Sequence, residues 1–407
     1  MTSQYPSKNS RFLISISLVF LFAVVYGSLF PFKGWHWNPS KAELFWSFDS
    51  LWPRYLTRND VINNILVYIP LGFLLTTLLI RHTTIVRASL FAPLIAFAIS
   101  MTLEIAQLMV PGRIASLLDV MLNSIGGILG VISAHMIHQQ TRLGHNFSQL
   151  RLNFFYAGRV ADVGLAILFF WALSELVPLY PSMDEQTLTR NLDLLKNSIN
   201  HPHHFNFYEF FIFVLQIGAL GLLFNTLVRS HHHIVRIFIV FTATVLLLQI
   251  PVISRDLSLE KLLGLFLGLA LFLGAHHFRF QIQSNLAIGL IILSLIINAI
   301  APGVIFESSS GFNWIPFRHQ MHNIVGFADI CTKIWPYAAL AYFILMQKPT
   351  LQQNVIIGIA TIIMLSSLMF EALSLFGSHK TADITTPLLA TFGWMTPWIY
   401  VQRRRGY

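Results

Sequence analysis

Ser100, Glu104 and Gln107 are spaced i, i+4, i+7, so one helical face would carry a hydroxyl, a carboxylate and an amide. Asp119, Asn123 and Gly126 repeat that spacing a few residues on, and the linker Pro111-Gly112-Arg113 brings a permanent cation between the two sets. Asn63 and Asn64 begin an earlier apolar stretch that also contains Pro70 and Gly72. A carboxylate inside a membrane helix is costly and turns toward a bundle interior or a wet cavity. These residues therefore predict a polar pocket opening outward, with Asn64, Ser100, Glu104, Gln107, Arg113, Asp119 and Asn123 as ligand-binding candidates. Arg113 would take an anionic group through charge-assisted hydrogen bonds, steadied by Asp119 and Asn123. Glu104 would orient the ligand or exchange protons with it, which makes it the one candidate catalytic acid or base. The plainer alternative is that these groups only tie helices together, at about 1 kcal/mol per hydrogen bond.

The same intervals can be stepped twice more along the chain. From Arg255 they reach Thr242, Leu246, Gln249, Ser258, Lys261, Leu265 and Gly268; from Lys380 they reach Ser367, Glu371, Ser374, Asp383, Thr386, Ala390 and Gly393. Similar approaches precede each copy: Leu29-Phe30-Pro31-Phe32, Leu176-Val177-Pro178-Leu179 and Trp314-Ile315-Pro316-Phe317. Self-similarity on this scale points to duplication of one structural unit. Glu371, Lys380 and Asp383, with Asn323 upstream, are then candidates for a second copy of the site, whereas the middle copy has Leu246 in place of the glutamate and reads as scaffold. The pairs Gly126/Gly130 and Gly264/Gly268 are small-xxx-small motifs, read as close helix packing.

Other chemistries find little support. The clusters around His201, His203 and His204 and around His231, His232 and His233 lack carboxylate or thiol partners at chelating spacing, so no metal and no cofactor is expected. Cys331 is the sole cysteine, which excludes an internal disulfide. No phosphate-binding glycine loop or nucleophile elbow occurs.

The elements that must position these residues follow from composition. Of 407 residues, 55% are hydrophobic and 11% charged, against about a quarter charged in ordinary soluble domains. The apolar residues fall into twelve runs, near 12–31, 61–80, 88–110, 117–137, 159–179, 207–228, 235–252, 257–277, 285–305, 329–346, 352–376 and 382–400. Most are long enough to cross a hydrocarbon layer of about 30 Å. The expectation is an all-α, polytopic transmembrane bundle of about twelve spans in three four-helix units: 1–140, 141–284 and 285–407. The first run reads as a spanning helix rather than a cleaved leader. A net charge of +9 would suit nucleic acid, but the bases are scattered singly between apolar runs, which tells against that partner. They fit the cytoplasmic bias of Lys and Arg instead: connections 81–87 and 229–236 carry bases and no acids, which places both termini inside. Connections 32–60, 180–206 and 306–328 then face outward. Trp35, Trp37, Trp46 and Trp52 mark the first of these as an interfacial helix.

Asn63 to Leu75, reading NNILVYIPLGFLL, resembles the N-x-x-x-F-x-P-L-G helix of the VanZ-like family of bacterial membrane proteins. Ser100-xxx-Glu104-xx-Gln107, then Arg113, then Asp119-xxx-Asn123-xx-Gly126, is similar to that family's second signature, and Ser28-Leu29-Phe30-Pro31-Phe32 fits its first helix end. Ser116 stands where the family often has an aspartate. The resemblance covers about 20–137, with a diverged copy over about 300–400, in which Asp383 supplies that aspartate. It implies a multi-pass protein of the bacterial cytoplasmic membrane acting in the cell envelope. The namesake's association with low-level resistance to a lipoglycopeptide antibiotic implies a link to glycopeptide susceptibility.

The expected function is binding of membrane lipid, a lipid-linked glycan or a lipoglycopeptide at the outward pocket. Two rivals stand beside it. A lipid or small-molecule transporter would use the repeats as moving parts about the site. A membrane-embedded enzyme would use Glu104 as general acid or base, though no second base, nucleophile or metal accompanies it.

Overall fold

The computed structural model describes residues 10–30, 32–51, 57–138, 141–178, 185–201, 205–229, 233–252, 257–301, 311–320, 325–377 and 382–402. Pro31, Trp52, His203, His204, His231, His232, Arg255, Asn323 and Lys380 lie outside them. Among the described residues the chain is helical, with only the isolated bridges Phe155–Val228 and Asn313–Asp383. It divides into two compact units, Met1–Arg151 and Leu152–Tyr407.

The first unit contains α1 (Ser10–Leu29), α2 (Pro39–Phe45), α3 (Arg58–Leu79), α4 (Ile85–Gln107), α5 (Leu117–Ile137) and most of α6 (Arg142–Phe154). Capping residues set where the long helices begin. Thr57 and Asp60 form a reciprocal capping box at α3, Thr84 accepts the Arg87 N–H at α4, and Ser116 accepts the Leu118 N–H at α5. In α4 the burial pattern is the reverse of a soluble helix. Ala88, Ala92, Ala96, Ser100, Glu104 and Gln107 face inward, while Val86, Leu90, Leu94 and Phe97 face outward. Small and polar groups inside with large apolar groups outside is an arrangement that hydrocarbon stabilises and water does not.

Helices α3 and α5 are in close contact along their length because glycine removes the side chains between them. A methyl on Gly126 would strike the Ile65 carbonyl oxygen, and one on Gly130 the Ile69 carbonyl oxygen. The small-xxx-small reading of this pair therefore matches the geometry. Connection 32–60 folds α2 and a 3-10 turn, Phe48–Ser50, over one end of the bundle. Phe45 is fully buried against Leu108 and Ala115, while Trp35, Trp37 and Trp46 are exposed.

The second unit contains α7 (Arg159–Leu176), α8 (Glu185–Asn200), α9 (Phe207–Leu227), α10 (Ile234–Leu247), α11 (Leu259–Ala275), α12 (Phe280–Ile300), α13 (Val325–Gln347), α14 (Gln353–Gly377) and α15 (Thr385–Gln402). Its core is aromatic, centred on Trp171, Phe238, Phe272, Trp335 and Tyr342. Here α9 packs on α11 and α13 packs on α15, again through glycine. Gly268 sits against Val214 and Ile217, and Gly393 against Ile334 and Tyr337.

Each of the twelve apolar runs thus holds a helix, with α2, α6 and α8 as short additions between them. Among the described residues, six helices are long and apolar enough to cross a membrane: Asp60–Leu79, Ile85–Gln107, Leu117–Ile137, Phe207–Leu227, Phe280–Ile300 and Gln353–Ser374.

Candidate functional site

The first-unit candidates gather where α4 ends and α5 begins, but they pair differently from the expectation. Glu104 is 5% exposed, and its Oε2 accepts the backbone N–H of Ser116 at 2.9 Å. Ser116 is the N-cap of α5, so a carboxylate sits where the helix presents unsatisfied N–H groups and the positive end of its dipole. The Ser116 hydroxyl donates to the Ser50 carbonyl at 2.9 Å, and Leu117 N–H donates to Ser50 Oγ at 2.8 Å. Glu104, the α5 cap and the 3-10 turn form one hydrogen-bonded cluster.

Asn123 donates to Ser100 Oγ at 2.9 Å, and the Tyr68 hydroxyl lies near Ser100. The Asn123 Oδ1 atom is buried without a partner. Asn64 donates to Asp119 Oδ1 at 2.7 Å, joining α3 to the first turn of α5. Gln107 donates to the Ser28 carbonyl at 3.1 Å.

Arg113 takes a separate position. Its Nη2 donates to the Gly27 carbonyl at 2.8 Å, and it lies within electrostatic reach of Glu104 without forming an ion pair with it. Asp119 and Asn123 therefore do not hold Arg113, because Asn64 and Ser100 occupy them instead. This end of the bundle is also covered rather than bare. Lys41 Nζ on α2 donates to the carbonyls of Val110 and Arg113, both at 2.9 Å, and fastens α2 over the α4–α5 connection.

The residues expected to form a third copy have a parallel arrangement. Glu371 Oε2 accepts the backbone N–H of Asp383 at 3.0 Å, twelve residues on, as Glu104 does with Ser116. Tyr337 lies near Ser367, as Tyr68 does near Ser100. Asp383 Oδ1 accepts the N–H and hydroxyl of Thr385 at 2.9 and 2.7 Å, while its Oδ2 is buried and unpartnered.

Sequence reasoning missed Lys41, Ser50, Tyr68 and Tyr337, along with a group of acids at the same helix ends in the second unit. Stepping the repeat back into the preceding helix would have found part of this. Asp60, Glu209 and Asp329 each stand eight residues before Tyr68, Ile217 and Tyr337, the residues that meet the fourth-helix glycines. Lys41 and Ser50 sit in an irregular segment and leave no periodic signal. Among the described residues no group of three or more His, Cys, Asp or Glu is arranged to hold a metal ion.

Residues 4–138 match the family model described as VanZ/LLP1. No curated protein and no solved structure matches the chain. The matched stretch takes in α1 to α5 and every first-unit candidate described above. With apolar helix faces turned outward and its first-unit polar groups inward, this chain is a helical membrane protein whose residues 4–138 match the VanZ-like family.

Proposed function

We propose that this protein spans the bacterial cytoplasmic membrane twelve times, in three related four-helix units with both termini inside. It binds an amphiphilic envelope molecule, a lipid or lipid-linked glycan, by an anionic headgroup at the outer end of the first unit. The observation that carries the reading is the state of Arg113. It is half-buried at the bundle end, uses one N–H on the Gly27 carbonyl, and has no carboxylate partner among the described residues. A guanidinium has five donors in a planar fork suited to phosphate or carboxylate. Glu104 is occupied in holding the start of α5, which suits positioning of that end better than proton transfer. Lipid reaches such a site from the side, since the surrounding helix faces are already apolar.

Support for the three units comes from the shared intervals, from the glutamate-to-backbone bond recurring at Glu371, and from glycine contacts at Gly126, Gly268 and Gly393. Support for twelve spans comes from a helix in each apolar run. The shortest, α10, has 14 residues and a length of about 21 Å, and an irregular turn extends it.

The test uses purified full-length protein, with retention of anionic and neutral phospholipids read by native mass spectrometry. Arg113→Ala should lower retention of the anionic lipid by about tenfold or more, the worth of one good charge-assisted hydrogen bond. Folded Arg113→Ala protein that retains anionic lipid like the natural chain would overturn the reading.

A further inference from the structure

The connection between α5 and α7 carries a helix too short to cross a membrane. α6 has 13 residues and a length of about 20 Å, against a hydrocarbon layer of about 30 Å. Two contacts hold its start against the end of α5. Thr141 Oγ1 donates to the His138 carbonyl at 2.8 Å and accepts the Gly144 N–H at 3.0 Å, which caps the first turn. Gly144 is buried, and a methyl there would strike the His138 carbonyl oxygen, so this turn abuts the backbone where α5 stops. α5 is long and apolar enough to span, and its end marks where the chain leaves hydrocarbon. α6 is fixed at that level.

The helix sorts its side chains by face. Leu143, Phe147 and Leu150 stand at i, i+4 and i+7, so they form one stripe, and each is 58% exposed. His145 and Gln149 are exposed on the opposite side. Helical periodicity sets Arg142 and Arg151 on either flank of the stripe. A short helix with an open apolar stripe, a polar back and basic flanks suits the boundary between acyl chains and headgroups.

Charge selects the kind of surface. From Val120 to Ala161 the chain carries Arg142, Arg151 and Arg159 and no aspartate or glutamate. Arg142 stands in the first turn of α6, where the helix dipole disfavours a cation, so helix stability does not account for it. An anionic headgroup layer does. Because α6 is tied to the end of a spanning helix, the surface within reach of its stripe is the membrane itself.

We propose that α6 lies in the plane of the membrane surface, with Leu143, Phe147 and Leu150 among the acyl chains and Arg142 and Arg151 at anionic phospholipid headgroups. It thereby gathers anionic lipid around the end of α5. This is the opposite end of α5 from Arg113, so either reading can fail without the other.

The experiment places full-length protein in lipid nanodiscs with one introduced cysteine, Leu150→Cys or Gln149→Cys, carrying a nitroxide. Both positions are exposed and Cys331 is buried, so the label is confined to α6. Relaxation by oxygen, which concentrates in hydrocarbon, and by a neutral nickel chelate, which stays in water, reads depth. The oxygen-to-nickel ratio should be severalfold higher at Leu150 than at Gln149. A fluorophore on Asn146→Cys, quenched by trace nitroxide-labelled phosphatidylglycerol or phosphatidylcholine, reads the lipids beside the helix. Phosphatidylglycerol should be enriched about fivefold, the worth of one basic residue near an anionic surface. Arg142→Gln should remove most of that enrichment, as should about 1 M sodium chloride. Equal ratios at the two nitroxide positions would overturn the in-plane placement. A Leu150 label shielded from both reagents would assign the stripe to a protein interface and overturn it too. Equal quenching by the two lipids with Arg142 in place would overturn the anionic preference.

Discussion

Replacing Glu104 by alanine and by glutamine separates what its shape does from what its charge does. In the folded chain Glu104 Oε2 takes the Ser116 N–H at 2.9 Å, and that N–H has no helical carbonyl available because Ser116 caps α5. Alanine removes the acceptor and strands a buried donor, at about 1–3 kcal/mol. It also removes negative charge from a helix N-terminus, worth about 0.3–1 kcal/mol. The combined loss is about 1–4 kcal/mol. Glutamine keeps an oxygen at the same place, so the N–H stays satisfied. Only the difference between a charged and a neutral acceptor is lost, about 1 kcal/mol. Alanine should therefore cost more than glutamine does, up to about four times as much. The assay is unfolding of purified protein in mixed micelles on titration with a denaturing detergent, followed by tryptophan fluorescence. Trp46 suits this readout because its ring lies 5.0 Å from that of Phe45, which is buried on the same end of the bundle. Equal losses for the two variants, or no loss for alanine, would refute the argument that this carboxylate anchors α5.

Gly126→Ala and Gly289→Ala should move stability in opposite directions in the same titration. The first drives a methyl into the Ile65 backbone and should cost about 1–3 kcal/mol, whereas the second points into open space within α12 and should gain about 0.5–1 kcal/mol from helix propensity. Matching behaviour would mean that α3 and α5 are not in backbone contact. Topology reporters fused at His145 and Asp193 should read cytoplasmic and external respectively, and the reverse or a shared side would reject the twelve-span arrangement.

Much of the architecture was legible because membrane helices obey a one-dimensional rule. Backbone polar groups must be satisfied within each span, so a run of apolar residues is already a helix in waiting. The α3–α5 contact was legible for a similar reason: Gly126 and Gly130 share a helical face and leave nothing else to do there but approach a neighbour. The identities of Ser100, Glu104, Gln107, Asp119 and Asn123 as inward or helix-end polar groups also followed from spacing. Their partners did not. Asn123 finds Ser100 and Asn64 finds Asp119 because helix rotation and axial offset decide which side chains meet, and an interval along one helix is silent about the register of the next.

A charged group at helix ends of the second unit shows the limit most clearly. Glu175, Glu209, Gln249, Glu260 and Lys261 span more than eighty residues, and the repeat intervals place only some of them. They converge because four helix ends lie at one end of a bundle. The covering of the first-unit site by α2 is of the same kind, since Lys41 reaches carbonyls about seventy residues away.

Sequence by itself determined that the chain is helical, that it belongs in a membrane, and where its first unit keeps its polar residues, because hydropathy and helical periodicity are local properties. Only the tertiary structure decided that Glu104 secures the start of α5, that Arg113 bonds the Gly27 carbonyl rather than Asp119 or Asn123, and that Glu175, Glu209, Gln249, Glu260 and Lys261 gather at helix ends of the second unit. Each of these depends on distances between segments far apart in the chain, and packing of the whole unit is what sets them.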